Sequence, residues 1–198
     1  NNYRTMWYNY ERARGVYMNL KEKKISSETI YKGKIIDVYK DKVLCPNGHE
    51  SYREYISHCK ASCVIAELDN GNFLMEKQYR YPYDEVINEF PAGKRDKGED
   101  PLETAKRELL EETGYQANKV VYLGEIYPSC AYTDEVIYCY YATNLIKQEQ
   151  HLDENEFVEV FEVSLEEIKE MMNKGELKDA KSIACIGFLF ARGYKSEK

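Results

Sequence analysis

The sequence predicts an α+β fold preceded by a small N-terminal antiparallel β domain. Three observations predict it. Short strand-like runs recur through most of the chain, a strong turn signal at Pro46-Asn47-Gly48 folds residues 25–57 into strands of their own, and a doubly capped helix stands at 101–113. The 198 residues suffice for one well-buried domain with a small appendage. A hydrophobic content of 43% with 32% charged residues is that of an ordinary globular chain.

Taken in order, residues 1–19 are Tyr-, Asn- and Arg-rich without a clear period and read as a poorly ordered extension. Residues 20–58 form the β domain: residues 34–44 alternate loosely, the Pro-Asn-Gly turn follows, and residues 51–56 return. So small a sheet cannot stand alone and must pack on something else or on a second subunit. The remaining domain spans 59–198. Its residues 61–68 are a buried strand, turned at Asp69-Asn70-Gly71-Asn72 into a second strand over 73–78, and 86–90 is a third. A charged loop then leads to Asp100. Asp100 is a good N-cap, Pro101 suits the first helical position, and Gly114 ends the helix. Strands are expected at 120–126, 135–142 and 156–163, a polar loop at 144–155, and helices at 165–172 and 180–192.

Charge and cysteine content exclude several classes of function. The net charge is −7 with no basic stripe, which argues against nucleic acid as a partner. No apolar run is long enough for a membrane span, and the N-terminus lacks an apolar signal region. The six cysteines include no CxxC pair and read as reduced thiols of a cytoplasmic protein. His49, His58 and His151 are widely separated and receive no role.

The stretch from 93 to 115 carries the chemistry. At about 100° per residue, Leu102, Ala105, Leu109 and Thr113 share one stripe facing the core. Glu108 and Glu112 stack on its flank, and Glu111 lies one turn from Arg107. Three carboxylates so close repel one another, and one arginine cannot neutralise them. Hard cations with oxygen ligands would. Arg107 is placed to orient Glu111, Glu99 adds a carboxylate near the helix start, and Gly93 lets the backbone approach a metal so that the Ala92 carbonyl can bind it. A solvated, salt-bridged helix would be the ordinary reading of Arg-Glu-Leu-x-Glu-Glu alone. Here the spacing extends through both glycines.

That spacing resembles the Nudix box, G-x5-E-x7-R-E-U-x-E-E-x-G-U, with Tyr115 in the last apolar slot as the single departure. The resemblance covers roughly residues 25–195. Glu89-Phe90-Pro91-Ala92-Gly93-Lys94, Lys77-Gln78-Tyr79-Arg80, Arg53-Glu54 and Asp153-Glu154-Asn155-Glu156 are similar to segments of bacterial ADP-ribose pyrophosphatases. The resemblance implies a Nudix α/β/α sandwich with a mixed sheet, and a homodimer that exchanges N-terminal β domains. It implies Mg²⁺-dependent hydrolysis of ADP-ribose, with Mn²⁺ as a substitute and two or three ions per site. Ala92, Glu108, Glu112 and Glu156 would bind metal. Glu154, then Glu156, is the candidate base, with Glu111 and Arg107 in the catalytic group. Arg80, Glu89, Arg53 and Glu54 would contact substrate, the last pair across the dimer. In Pro128-Ser129-Cys130-Ala131-Tyr132-Thr133-Asp134-Glu135, Cys130 and Ala131 stand where the family often has Pro and Gly. This bears on which sugar is taken, so GDP-mannose or another nucleoside diphosphate sugar is the alternative substrate. A non-catalytic ADP-ribose-binding module is the alternative class, although such modules usually lose a box glutamate.

Overall fold

The computed structural model describes residues 19–194. Strands β1 (Lys23–Lys32), β2 (Ile36–Leu44) and β3 (Glu50–His58) form an antiparallel sheet in that order. Gly48, at φ 82°, makes the β2–β3 turn, where Cys45 and His49 close a backbone hydrogen bond of 2.9 Å. The ladder then runs without a break from Leu44↔Glu50 to Ile36↔His58. β1 is exposed along its whole length, including Ile25 and Ile30. The expectation for residues 1–18 lies outside the described residues.

A seven-stranded mixed sheet forms the rest of the core. Its order is β10 (Val158–Val163), β5 (Phe73–Arg80), β4 (Ala61–Glu67), β9 (Ile137–Lys147) and β8 (Tyr115–Ile126). β6 (Glu85–Glu89) pairs with β5, and β7 (Ala92–Lys94) with β4. β4 runs parallel to β9 and antiparallel to β5 and β7.

Strand alternation sorts the side chains into two layers. Ala61, Cys63, Ile65, Phe73, Met75 and Cys139 pack with Ile168, Cys185, Ile186 and Leu189 of α2 (Leu165–Lys174) and α3 (Ala180–Ala191). Val64, Ala66, Leu74, Tyr140 and Ala142 pack with Ala105 and Leu109 of α1 (Pro101–Thr113). This is the α/β/α sandwich. α1 has the predicted bounds: the Asp100 side chain accepts the Leu102 N–H, and Gly114 at φ 72° stops the helix.

Three stretches differ from the sequence expectation, the first being residues 144–147, expected as loop, which continue β9 to Lys147 because β8 pairs with them. Residues 115–119 extend β8, because Tyr115, Gln116, Ala117 and Lys119 find partners in the second half of β9, as in Tyr115↔Lys147 and Lys119↔Thr143. Residues 92–94, read as loop, form β7 against the central strand. All three arise from distant hydrogen-bond partners rather than from local pattern.

Candidate active site

The helix α1 presents its acidic flank to β7. Glu108 is 8% exposed and Glu112 2%. The Ala92 N–H donates to Glu112 Oε2 at 2.9 Å. The Glu108 carboxyl lies against Gly93 so closely that a Cβ there would sit 1.9 Å from its Cδ. Glycine at 93 is therefore required by space, not by dihedral angle. β7 is held in turn by its ladder to β4 and by the Val64 N–H donating to the Pro91 carbonyl at 2.9 Å.

Arg107 organises the opposite side. Its Nη1 donates to Glu108 Oε1 and Glu111 Oε2, each at 2.9 Å, and its Nε donates to Glu99 Oε1 at 3.0 Å. Nη2 reaches the Lys94 carbonyl at 3.0 Å. The expected Arg107–Glu111 pairing is present. Glu99 ties Arg107 to the loop: it also accepts from Thr104 Oγ1 and the Asp96 N–H. The Arg107 hydrogen bond holds its carboxyl down at about 2.

Burial pushes Glu108 up to about 7, with Arg107 opposing. Glu112 is raised well above the carboxylate range by burial and by the negative charges of Glu76, Glu108 and Glu156. Glu76, on β5, is raised by burial and by Glu89. Glu156 is half-buried just before β10. Glu154 is exposed in the preceding turn.

Glu89, 1% exposed, is fully paired. Arg80 donates to it through Nε and Nη2 at 2.8 and 2.7 Å, and Lys181 of α3 donates from the other side. Burial alone would lower the Lys181 pKa, but Asp179 and Glu89 outweigh it and raise it. α3 is docked here by Ser182 Oγ, which accepts the Phe90 N–H at 2.8 Å.

Arg80, Glu89 and Lys181 border a cavity of about 510 Å³, whose walls also include Ala92, Gly93 and Lys178 but not Glu76, Glu108, Glu112 or Glu156. One rim is the segment 128–135, stapled to β3. Asp134 accepts the His58 N–H at 2.8 Å and the Ser57 hydroxyl at 2.9 Å, and the Ile56 N–H donates to the Tyr132 carbonyl at 2.8 Å. His58 stands at the rim, its Nδ1 3.2 Å from Glu135. Arg53 and Glu54 do not line this cavity: Arg53 pairs with Glu22 and Glu54 with Lys40 on the exposed small sheet.

Sequence reasoning missed Glu76 and Lys181, and it gave no role to His58, which stands at the cavity rim. Alternation did contain the first, since Glu76 shares a strand face with buried Leu74. Lys181 precedes Cys185 by four residues on the buried stripe of α3. His58 carries no comparable signal.

The donor set fits a hard divalent cation. It consists of buried carboxylates with too few counter-charges, and Glu76 Oε2 has no hydrogen-bond partner among the described residues. Among those residues no three acidic, His or Cys side chains already converge on one centre. Glu108 and Glu112 are instead held by Arg107 and the Ala92 N–H.

Comparison with known proteins agrees with this geometry. Residues 57–184 match the NUDIX domain, and residues 22–56 match the nucleoside diphosphate sugar hydrolase N-terminal domain. The chain is 43% identical to an ADP-ribose pyrophosphatase of Bacillus subtilis over 173 residues, covering 86% of this chain and 94% of that one. It is 39% identical to a methanol dehydrogenase activator of Bacillus methanolicus over 170 residues, covering 85% and 92%. The crystal structure of an ADP compounds hydrolase superposes with a TM-score of 0.78 at 20% identity, covering 87% of this chain and 96% of its own, and supports the fold. The chain belongs to the Nudix hydrolase family.

Proposed function

We propose that this chain is a Mg²⁺-dependent pyrophosphatase that hydrolyses ADP-ribose to AMP and ribose 5-phosphate. The observation that carries the proposal is the pair Glu108 and Glu112, buried and under-neutralised behind the Ala92–Gly93 backbone, which itself lines the cavity. The name of the Bacillus subtilis relative supports ADP-ribose as the substrate.

Glu108, Glu112, Glu156 and the Ala92 carbonyl would hold the cations, two or three per site, with Mn²⁺ as a substitute. When bound, these supply charge neutralisation of the two phosphates and acidify the attacking water. Arg107 keeps Glu108 and Glu111 in place while being anchored itself by Glu99. The acidic loop supplies the base that takes the water's proton, Glu154 first and Glu156 second. Arg80 and Lys181 place positive charge on the cavity wall for the substrate's phosphates, and Glu89 holds both in position.

The small sheet, residues 20–58, is assigned to dimerisation, and 59–198 to catalysis. The exposed β1, with Ile25 and Ile30, supports exchange of this sheet between two subunits. Arg53 and Glu54 would then reach the partner's substrate. Six free thiols support a cytoplasmic setting.

The test is AMP release from ADP-ribose with Mg²⁺, run beside GDP-mannose and a Glu112→Gln variant. Rapid Mg²⁺-dependent release that is lost in the variant is expected. Turnover of GDP-mannose alone would overturn the substrate, and tight ADP-ribose binding without turnover would overturn the enzyme.

A further inference from the structure

Glu76 is a residue that the fold alone does not explain. It lies in the interior of β5, 1% exposed, and its Oε2 has no hydrogen-bond partner among the described residues. A buried carboxylate is expensive unless it is paired and hydrogen-bonded. The charged groups around it make matters worse. Glu89 is its register partner across the β5–β6 ladder, Glu156 acts on it, and Glu76 itself is the largest charge acting on Glu112. Arg80 and Lys181 lie near enough to act on Glu76, but they direct their hydrogen bonds to Glu89, and Lys181 also pairs with Asp179. Leu74 on the same strand face packs into the apolar layer beneath α1. An apolar side chain at 76 would continue that layer without a charge to accommodate.

An oxygen donor that is buried, unpaired and on the face of β5 whose Leu74 packs beneath α1 fits a place beside a cation. We propose that Glu76 is a further carboxylate of the metal centre, an oxygen donor to the cation held by Glu112. Contact is direct or through one retained water, as Mg²⁺ coordination allows. The site is thereby built from β5 as well as from α1 and β7. This assignment rests on the metal-dependent reading above.

The test uses the full chain and the variants Glu76→Gln and Glu76→Met, the second volume-conserving and apolar. Free Mn²⁺ is followed by electron paramagnetic resonance during titration, and thermal unfolding is followed in EDTA and in saturating Mn²⁺. Both variants are expected to melt higher than the parent in EDTA, because an unpaired carboxylate has gone. They are also expected to bind Mn²⁺ at least about ten-fold more weakly, the usual scale for a supporting ligand. The rise in melting temperature on adding Mn²⁺ should shrink accordingly. A merely structural Glu76 would instead lower the EDTA melting temperature of both variants, which overturns the proposal. So does Mn²⁺ binding by the variants at parental affinity and stoichiometry. If the parent itself binds no Mn²⁺, the metal-dependent reading falls first, and the two failures are told apart.

Discussion

Gly93 has no side chain because the Glu108 carboxyl occupies the place of its Cβ. Gly93→Ala must push that carboxyl aside while leaving the ordinary backbone conformation of β7 intact. We expect kcat to fall by about 100-fold, the scale of a roughly 1 Å misplacement in a catalytic site. Circular dichroism should show the fold retained. A variant with parental kcat would mean that the position of Glu108 does not matter to the reaction. The spacing of Gly93 from Glu108 was readable in the sequence. That the two touch was not, because contact requires β7 to be clamped to β4.

α1 is the element on which the site depends, and its ends are the part of the fold most plainly written in the chain. Asp100, Pro101 and Gly114 each satisfy a terminal requirement by local chemistry. Removing the cap by Asp100→Ala should cost about 1 kcal/mol of stability. Urea unfolding of the metal-free protein measures it, and an unchanged midpoint would mean that the Ser62 hydroxyl, which donates to the Pro101 carbonyl, and the packing of Leu109 on Val64 and Leu74 hold the helix without its cap. β7 is the contrasting element. Three residues of Ala-Gly-Lys have no strand signal of their own, and only the unpaired edge of β4 makes them one.

At the scale of the whole molecule, the site is a charge imbalance carried by the fold. Glu108, Glu112 and Glu76 have folded-state pKa values above the ordinary 4.5. The folded protein therefore keeps protons that the unfolded chain has released above that pH. Their stabilisation is complete below about 4.5 and is lost as pH rises, through about 7 for Glu108 and beyond for the other two. Glu99 has the opposite sign: its contribution is present above 4.5 and is lost as pH falls towards about 2. In EDTA the melting temperature should fall from pH 5 to pH 8, and saturating Mg²⁺ should reverse much of that fall, since deprotonated carboxylates bind it better. A flat EDTA profile would show that the buried carboxylates are neutralised by other means. The exposed β1 belongs to this scale too. Light scattering is expected to give the mass of two chains, and a single-chain mass would overturn the exchanged-sheet assignment.

The chain by itself determined the helix of the box, its two ends, the turn of the small sheet and the order of the carboxylates along α1. These depend on neighbours within about five residues, where backbone geometry leaves few choices. Only the tertiary structure decided which distant groups joined them. Lys181 comes from α3, Glu76 from β5, and Asp134 staples a loop to a strand 76 residues away in sequence. Arg53 and Glu54, expected to reach substrate across a dimer, pair with Glu22 and Lys40 within their own chain. Long-range placement follows from which strand edges pair and which faces are buried, and no local pattern records that.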